Sequence, residues 1–513
     1  MALAVGVIAV TGSTASGGSD FFAPGNLVVS RSVYDDNAAN VTVGETLPPG
    51  CTTGCASAIA DGTYPTVFNN DIPDASFGIT SSIYLDQLTP AGTHVNSLEV
   101  PNSSQNGAPP TKDQMVTSFS SKSEVALNLS TDGQQLSFMG YLAPVDALDV
   151  SNSNTPAAID PTNPVTGSDY RVVASVDSHG KFRFTKTNAY SGNNGRAAIL
   201  NSAANVIYTA GNAGNGGNPQ PNGIIVGGGA QIMNAQVKAL VAQDPGDPTP
   251  VGSFSISQIP PNGSDKIGKD TNFRGLTIFD DVVYLTKGSG SNGINTVYFI
   301  DTTGAACPNG VGIPAAGAAL PTSPIAYDPT QLQSKGVVPY NMCVLKGFPT
   351  QLAKKTTTSF PFGIWFANAS TLYLAQEGDG NVGGVVGGLE KWTFNGTTWS
   401  RAYTLQAGLD LGVPYTVPGY PTGNNPATGK PWAPATDGLR NITGRVNGDG
   451  TATIYAVTST TSGSGDQGAD PNKLVAVTDQ LATTTLPAGE SFSTIDSARS
   501  GEVLRGVSFT PGS

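Results

Sequence analysis

The chain has 513 residues and a net charge of −12, with 12% charged against 38% hydrophobic residues. That apolar content argues against a disordered chain, which combines low hydrophobicity with high charge, and it permits a sizeable core. The acidic balance, 37 Asp and Glu against 25 Lys and Arg, argues against nucleic acid as a partner.

The N-terminus reads as the remnant of a secretory signal or as a disordered tail, over residues 1–20. Ala2 to Val10 are apolar and small polar residues follow, but no Lys or Arg precedes them. Residues 21–513 then read as one domain. No later run reaches the roughly 18 apolar residues of a membrane helix, so no membrane span is expected. Cys51 and Cys55 stand in "CTTGC", and Cys307 and Cys343 flank another long loop. Four cysteines in loops suggest two disulfides and an oxidising compartment; the expected pairs are Cys51–Cys55 and Cys307–Cys343, which spacing alone does not prove. A four-cysteine zinc site is the rival, and it lacks a second close pair.

Apolar residues alternate with period two along most of the chain, and helical periodicity is scarce; Gln236–Gln243 is the best helical stretch. One phrase recurs. "SEVALNLSTDGQQLSFMGY" starts at Ser123, "NGRAAILNSAANVIYTAG" at Asn194 and "TNFRGLTIFDDVVYLTKG" at Thr271. "PFGIWFANASTLYLAQEG" starts at Pro361, "LRNITGRVNGDGTATIYAVTS" at Leu439, and a truncated "LRGVSFTPGS" at Leu504. The starts lie 65 to 90 residues apart. Each phrase is a strand, a tight turn rich in Asp, Asn or Gly, and a second strand, and two more strands follow most of them. A repeated four-stranded unit describes an all-β fold of the β-propeller type. The count is six blades; a seventh, degenerate blade would fit the same spacing. The last phrase holds a lone first strand, while "GNLVVSRSV", "SSIYLDQLTPAG" and "THVNSLEVP" near the N-terminus supply three strands without a first. One blade built from both chain ends would close the ring and remove its open edge.

Four of the ten arginines begin first strands: Arg196, Arg274, Arg440 and Arg505. Glu124 and Phe362 hold the matching positions in the other two. First strands line a propeller's channel and begin on its upper face, so these side chains are expected at the channel mouth. Two readings stand. The arginines fasten neighbouring blades through their five donors, or they converge on a carboxylate, sulfate or phosphate. Tyr190, just before "SGNNGR", and Lys122 could face the same mouth. Long connections at Ala38–Thr80, Ala143–Ser168, Gly211–Gly223, Leu411–Asp437 and Thr458–Asn472 belong on that face; Thr303–Tyr340 belongs underneath.

Acid–base motifs are sparse. The two histidines, His94 and His179, sit in turns expected underneath, which leaves little for a Ser-His-Asp triad or a His-ligated metal. "EGDGNVGG" sets Glu377, Asp379 and Asn381 at alternate positions, like the start of a calcium loop, but Gly388 stands where a twelfth-position Glu would complete it. A solvated turn is the competing reading there, and also at Asp35 and Asp36. No other cofactor is implied. Trp392 and Trp399 are expected between blades, and Trp432 in a long upper loop, where it could stack on a sugar.

"YSGNNGRAAI", "TNFRGLTI", "GGLEKWTFNGTTW" and "LRGVSF" resemble stretches of secreted bacterial β-propeller proteins, and the likeness spans most of the chain. The resemblance implies a propeller and export; it brings no catalytic residues. The functional expectation is a secreted propeller that binds or scaffolds, using its upper face for a glycan or protein partner. The alternative is an extracellular carbohydrate-active enzyme, most plausibly a lyase on anionic (uronate) polysaccharide. Such a lyase needs a cation to neutralise the carboxylate and a Tyr or Lys base.

Overall fold

Each repeated phrase folds as an antiparallel hairpin. In the phrase from Thr271, Leu276–Phe279 pairs with Val282–Lys287 across Asp280 and Asp281, whose φ angles are 50° and 58°. Two left-handed turn residues match the twist of the flanking strands, and Asp tolerates that conformation where a branched residue would not.

The computed structural model describes residues 20–513 except 36, 38–39, 41, 43, 48–49, 53–54, 58–77, 107–113, 120–122, 157–166, 213–228, 236–250, 254–271, 289–292, 308, 323–341, 354–358, 427–428 and 464–467. The apolar N-terminal stretch, Lys122 and the helical candidate at 236–243 lie outside the described residues. Within them the only α-helix is the single turn Ser103–Asn106.

The hairpins extend into six antiparallel sheets, and the protein is a six-bladed β-propeller. From the channel outward, blade 1 is Glu502–Phe509, Leu27–Val33, Thr80–Leu88 and His94–Glu99. Blade 2 is Asn128–Leu129, Gln135–Tyr141, Arg171–Asp177 and Phe182–Thr187; blade 3 is Gly195–Asn201, Val206–Gly211, Ala230–Asn234 and Val251–Ser253. Blade 4 is Leu276–Phe279, Val282–Lys287, Thr296–Ile300 and Met342–Leu345, with Val311–Gly312 added in parallel at its edge. Blade 5 is Pro361–Asn368, Thr371–Gln376, Gly388–Phe394 and Trp399–Leu405, and blade 6 is Ala435–Val446, Thr451–Thr461, Lys473–Gln480 and Ser493–Ser497. Inner strands touch their neighbours at all six junctions, so the ring is closed. The closing blade takes its innermost strand from the C-terminus and its other three from the N-terminal segment, with Leu27 paired to Phe509 and Val33 to Glu502.

Close approach of the inner strands explains a second part of the repeat. A Cβ on Gly275 would lie 2.0 Å from the carbonyl oxygen of Phe362, and one on Gly506 would lie 2.6 Å from the nitrogen of Leu127. Glycine after the arginine therefore lets the next blade's backbone pack where any side chain would collide. Between blades, apolar side chains form the core: Tyr208, Leu285 and Trp392 belong to one cluster, and Leu85, Phe138 and Val176 to another. Trp392, Trp399 and Trp432 are all buried.

Both cysteine pairs are disulfides, Cys51–Cys55 with Cα atoms 5.8 Å apart and Cys307–Cys343 at 5.9 Å. The second joins the loop after the third strand of blade 4 to its fourth strand. Its sequence separation is 36, and a loop of that length lowers unfolded-chain entropy by about 3–4 kcal/mol. A Cys307→Ser/Cys343→Ser double variant is expected to lose stability of that order in chemical denaturation, and the Cys51→Ser/Cys55→Ser variant less.

Candidate functional site

Arg196 opens the strand Gly195–Asn201 and Arg274 stands just before Leu276–Phe279, whereas Arg440 and Arg505 lie inside Ala435–Val446 and Glu502–Phe509 rather than at their starts. Arg196, Arg274, Arg440 and Arg505 are each 3–4% exposed. Arg196 in blade 3 donates from Nη1 to the side-chain oxygen of Asn272 and, at 2.9 Å, to the carbonyl of Phe273, both leading into blade 4. Arg505 in blade 1 donates to Ser32 Oγ of its own blade at 2.9 Å and to the carbonyls of Phe119 and of Ser118, which pairs with Thr80 in the same blade. Arg274 in blade 4 donates to Ser123 Oγ at the head of blade 2, at 2.6 Å.

Glu377, at the end of blade 5's second strand, stands between two of these groups. Its Oε1 is 3.8 Å from Arg274 Nε and its Oε2 is 3.5 Å from Arg440 Nε. The carboxylate thus joins blades 4, 5 and 6 at ion-pair rather than hydrogen-bond distance. Burial lowers the pKa of Arg196 and Arg274. Arg274 lowers Arg196 further, Arg440 does the same to Arg274, and Glu377 opposes the shift at both. The cluster is held by anions buried with it.

Glu124 is fully buried and accepts from Thr117 Oγ1 at 2.7 Å, from the Ser118 backbone N–H at 3.1 Å and from the Tyr141 hydroxyl. Tyr190, equally buried, has a φ of 62° and shares a 2.6 Å hydrogen bond with Thr209 Oγ1. Burial raises the pKa of both tyrosines; Glu124 adds to the effect at Tyr141.

The three residues of the calcium-like loop face different ways. Glu377 turns to the arginines. The Asp379 carboxylate accepts the backbone N–H groups of Asn381 and Val385, each at 2.9 Å, and so closes its own loop. The Asn381 amide donates to the Asp379 carbonyl at 3.3 Å. Elsewhere among the described residues, Asp301, Cys307 and Cys343 place possible ligand atoms within 4.8 Å of one another, but the cysteines are joined as a disulfide and offer no thiolate.

Two participants escaped the sequence reading. Arg171 is fully buried in blade 2 and donates to the carbonyls of Asn193 at 2.7 Å and of Ser153 and Asp169 at 2.9 Å, with Tyr141's ring 5.1 Å from its guanidinium. It begins a third strand, so a rule built on first strands passes over it. Asp437 lies beside the blade 5 loop and accepts the Gly380 N–H at 2.8 Å. Burial, then Asp379 and Glu377, push its carboxyl up to about 7; burial pushes Asp470 to about 6.

The channel's lower end is a separate space. A cavity of about 530 Å³ is walled by Leu127, Ile199, Ile278, Ile364, Ile442 and Phe509, one from each blade, with Trp365, Asp280 and Asp281 also lining it. Leu320, from the long loop of blade 4, lines it from below. Apolar walls beside two carboxylates suit an apolar group carrying a donor or a cation.

No protein-family model matches the chain, and no curated protein matches it. Among solved structures, a protein from Lactobacillus plantarum aligns at 11% identity over 82% of this chain and 81% of its own, with a TM-score of 0.34. An ulvan lyase described as a new polysaccharide lyase family aligns at 10% over 82% and 90%, with a TM-score of 0.31. The β-propeller domain of the Trilobed protease from Pyrococcus furiosus aligns at 7% over 82% and 94%, with a TM-score of 0.26. Likeness this distant carries no inference about activity.

Two outcomes are expected. Glu377→Gln leaves Arg274 and Arg440 facing each other without their buried anion and is expected to cost about 3–5 kcal/mol in denaturant unfolding. Asp437 and Asp470 hold protons in the folded chain that the unfolded chain releases near pH 4. Folding stability is therefore expected to fall as pH rises from about 4 to about 7. Asp437→Asn should flatten that decline, as read by melting temperature across the range.

Proposed function

We propose that the chain is a secreted propeller that binds or scaffolds a partner through its upper face and performs no chemistry at the arginine cluster. One observation carries this reading: the arginines are buried inside the ring, and Arg196, Arg274, Arg440 and Arg505 each have partners within the protein, at Phe273, Ser123, Glu377 and Ser118. Guanidinium groups spent on ring closure are not available to neutralise a uronate. The two tyrosines that feel the Arg196 charge, Tyr141 and Tyr190, are buried and hydrogen-bonded to Glu124 and Thr209. A lyase would need one of them in reach of substrate.

Exposed side chains on the upper loops favour a protein partner over a glycan. Val382, Val385 and Val386, in the loop before blade 5's third strand, and Val413, in the connection to blade 6, are all exposed. Their loops are tied to one segment, through Gly387 N–H to Asp437 O at 2.6 Å and Gly412 N–H to Thr436 O at 2.8 Å. Apolar groups held out on a fixed frame suit a protein surface. The two disulfides fit an oxidising, extracellular setting.

The test is a thermal-shift screen of the folded chain against uronate oligosaccharides, sulfate and phosphate, with Arg196→Ala and Arg274→Ala in parallel. The expected result is no stabilisation by any anion and earlier melting of both variants. Stabilisation by a uronate oligosaccharide that both variants lose, with unsaturated uronate released, would overturn the proposal in favour of a lyase.

A further inference from the structure

Blades 5 and 6 meet over a second buried polar cluster, away from the channel. Lys391 lies on the third strand of blade 5 and Asp479 on the third strand of blade 6; both side chains are 0% exposed, and Lys391 Nζ is 2.9 Å from Asp479 Oδ2. Around them stand Leu389, Leu405, Val475 and Phe492, part of one apolar cluster. Tyr403 donates to Asp479 Oδ1 at 2.6 Å, and the Tyr373 hydroxyl donates to Oδ2. Lys391 also donates to Tyr403 Oη, at 3.0 Å, and to the carbonyl of Gln480.

The fifth member is Glu490, from the loop between the third and fourth strands of blade 6. Its Oε1 accepts the Gln480 N–H at 3.1 Å, while its buried Oε2 has no donor. That oxygen is satisfied when the carboxyl shares a proton with Asp479. Burial, reinforced by that contact, pushes the Glu490 carboxyl up, while at Asp479 burial is outweighed by the hydrogen bonds from Glu490, Tyr373, Tyr403 and Lys391, which lower it.

These five side chains hold the groups that an acyl transfer within the protein requires. Lys391 is the amine, the carboxyl of Asp479 the electrophile, and Glu490 the acid–base group. Two tyrosine hydroxyls point at the oxygens where negative charge builds when the carbonyl is attacked. Holding the reacting groups in contact supplies the large effective concentration that an amine and a carboxyl in water lack. A surface groove of about 420 Å³, lined by Thr478, Glu490, Ser491 and Ser493, brings solvent to Glu490.

We propose that Lys391 and Asp479 condense into an intramolecular isopeptide bond joining blades 5 and 6, with Glu490 as the proton carrier. Glu490 passes its proton to the Asp479 carboxylate and takes one from the ammonium. The Nζ–Cγ bond forms and one Cγ–O bond breaks. Of the three ammonium hydrogens, one passes to Glu490, one stays on the amide, and one leaves with the oxygen and the proton that Glu490 donated, as water. Glu490 ends as it began, and nothing is oxidised or reduced.

Intact mass spectrometry of the folded protein, incubated at neutral pH until its mass is constant and then reduced, tests this directly. The expected mass is one water below that of the sequence, and fragmentation of a tryptic digest is expected to join the peptides carrying Lys391 and Asp479. Lys391→Arg should restore the full mass. Glu490→Gln, which keeps the size and shape of the side chain, should fold with unchanged circular dichroism and stay at full mass. A wild-type mass equal to the sequence value overturns the proposal, as does a water loss mapped elsewhere or retained in Lys391→Arg. A Glu490→Gln protein that still loses water overturns the role given to Glu490.

Discussion

A guanidinium buried in a narrow channel must find its acceptors at once, because desolvating a charge costs more than any packing around it returns. That constraint organises the upper end of this propeller. A blade's own sheet hydrogen-bonds its backbone internally, so carbonyls, hydroxyls and carboxylates left over at its head are offered to the next blade. Arg196 takes a carbonyl on the approach to the following blade, Arg505 takes one from its own, and Arg274 and Arg440 share Glu377. Arg274 also reaches Ser123 at the head of blade 2, so the charges at this end find partners inside the protein.

The same economy shapes the two ends of the channel differently. The upper end is filled with charge and neutralised from within. The lower end is left as an apolar space, because the inner strands end there in aliphatic residues and short acidic turns such as Asp280–Asp281. The long loops fall in line with this. The loop between the second and third strands of blade 5 presents Val382, Val385 and Val386 to solvent, and Leu320, after the third strand of blade 4, lines the cavity.

Blade 6 carries a double duty. Its inner strand supplies Arg440 to the cluster, and its third strand supplies Asp479 to the wall facing blade 5. Around Asp479, two tyrosines, a lysine and a second carboxyl meet in an apolar interface, and their partners come from strands more than seventy residues apart. Such a cluster is stable only if every member is satisfied, which gives it both its rigidity and its reactivity.

Much of the fold was legible in the chain. Period-two alternation marked the strands, Asp and Asn turns marked the hairpins, and the lone "LRGVSF" strand marked a ring closed from both ends, because a sheet edge must be paired. The same local signals put the arginines on the inner strands, although Arg440 and Arg505 fall inside theirs rather than at the start, and Cys343 lies in a strand rather than a loop. What they could not show is where each side chain would find its partner. Glu377 read as the first oxygen of a calcium loop, and only the juxtaposition of three blades turned it to Arg274 and Arg440. Arg171, Asp437, Lys391 and Asp479 carried no motif at all. Local structure follows from backbone preferences and periodicity within a few residues. Charge pairing and proton sharing depend on contacts between residues 60 to 100 apart or more, and those exist only once the ring has closed.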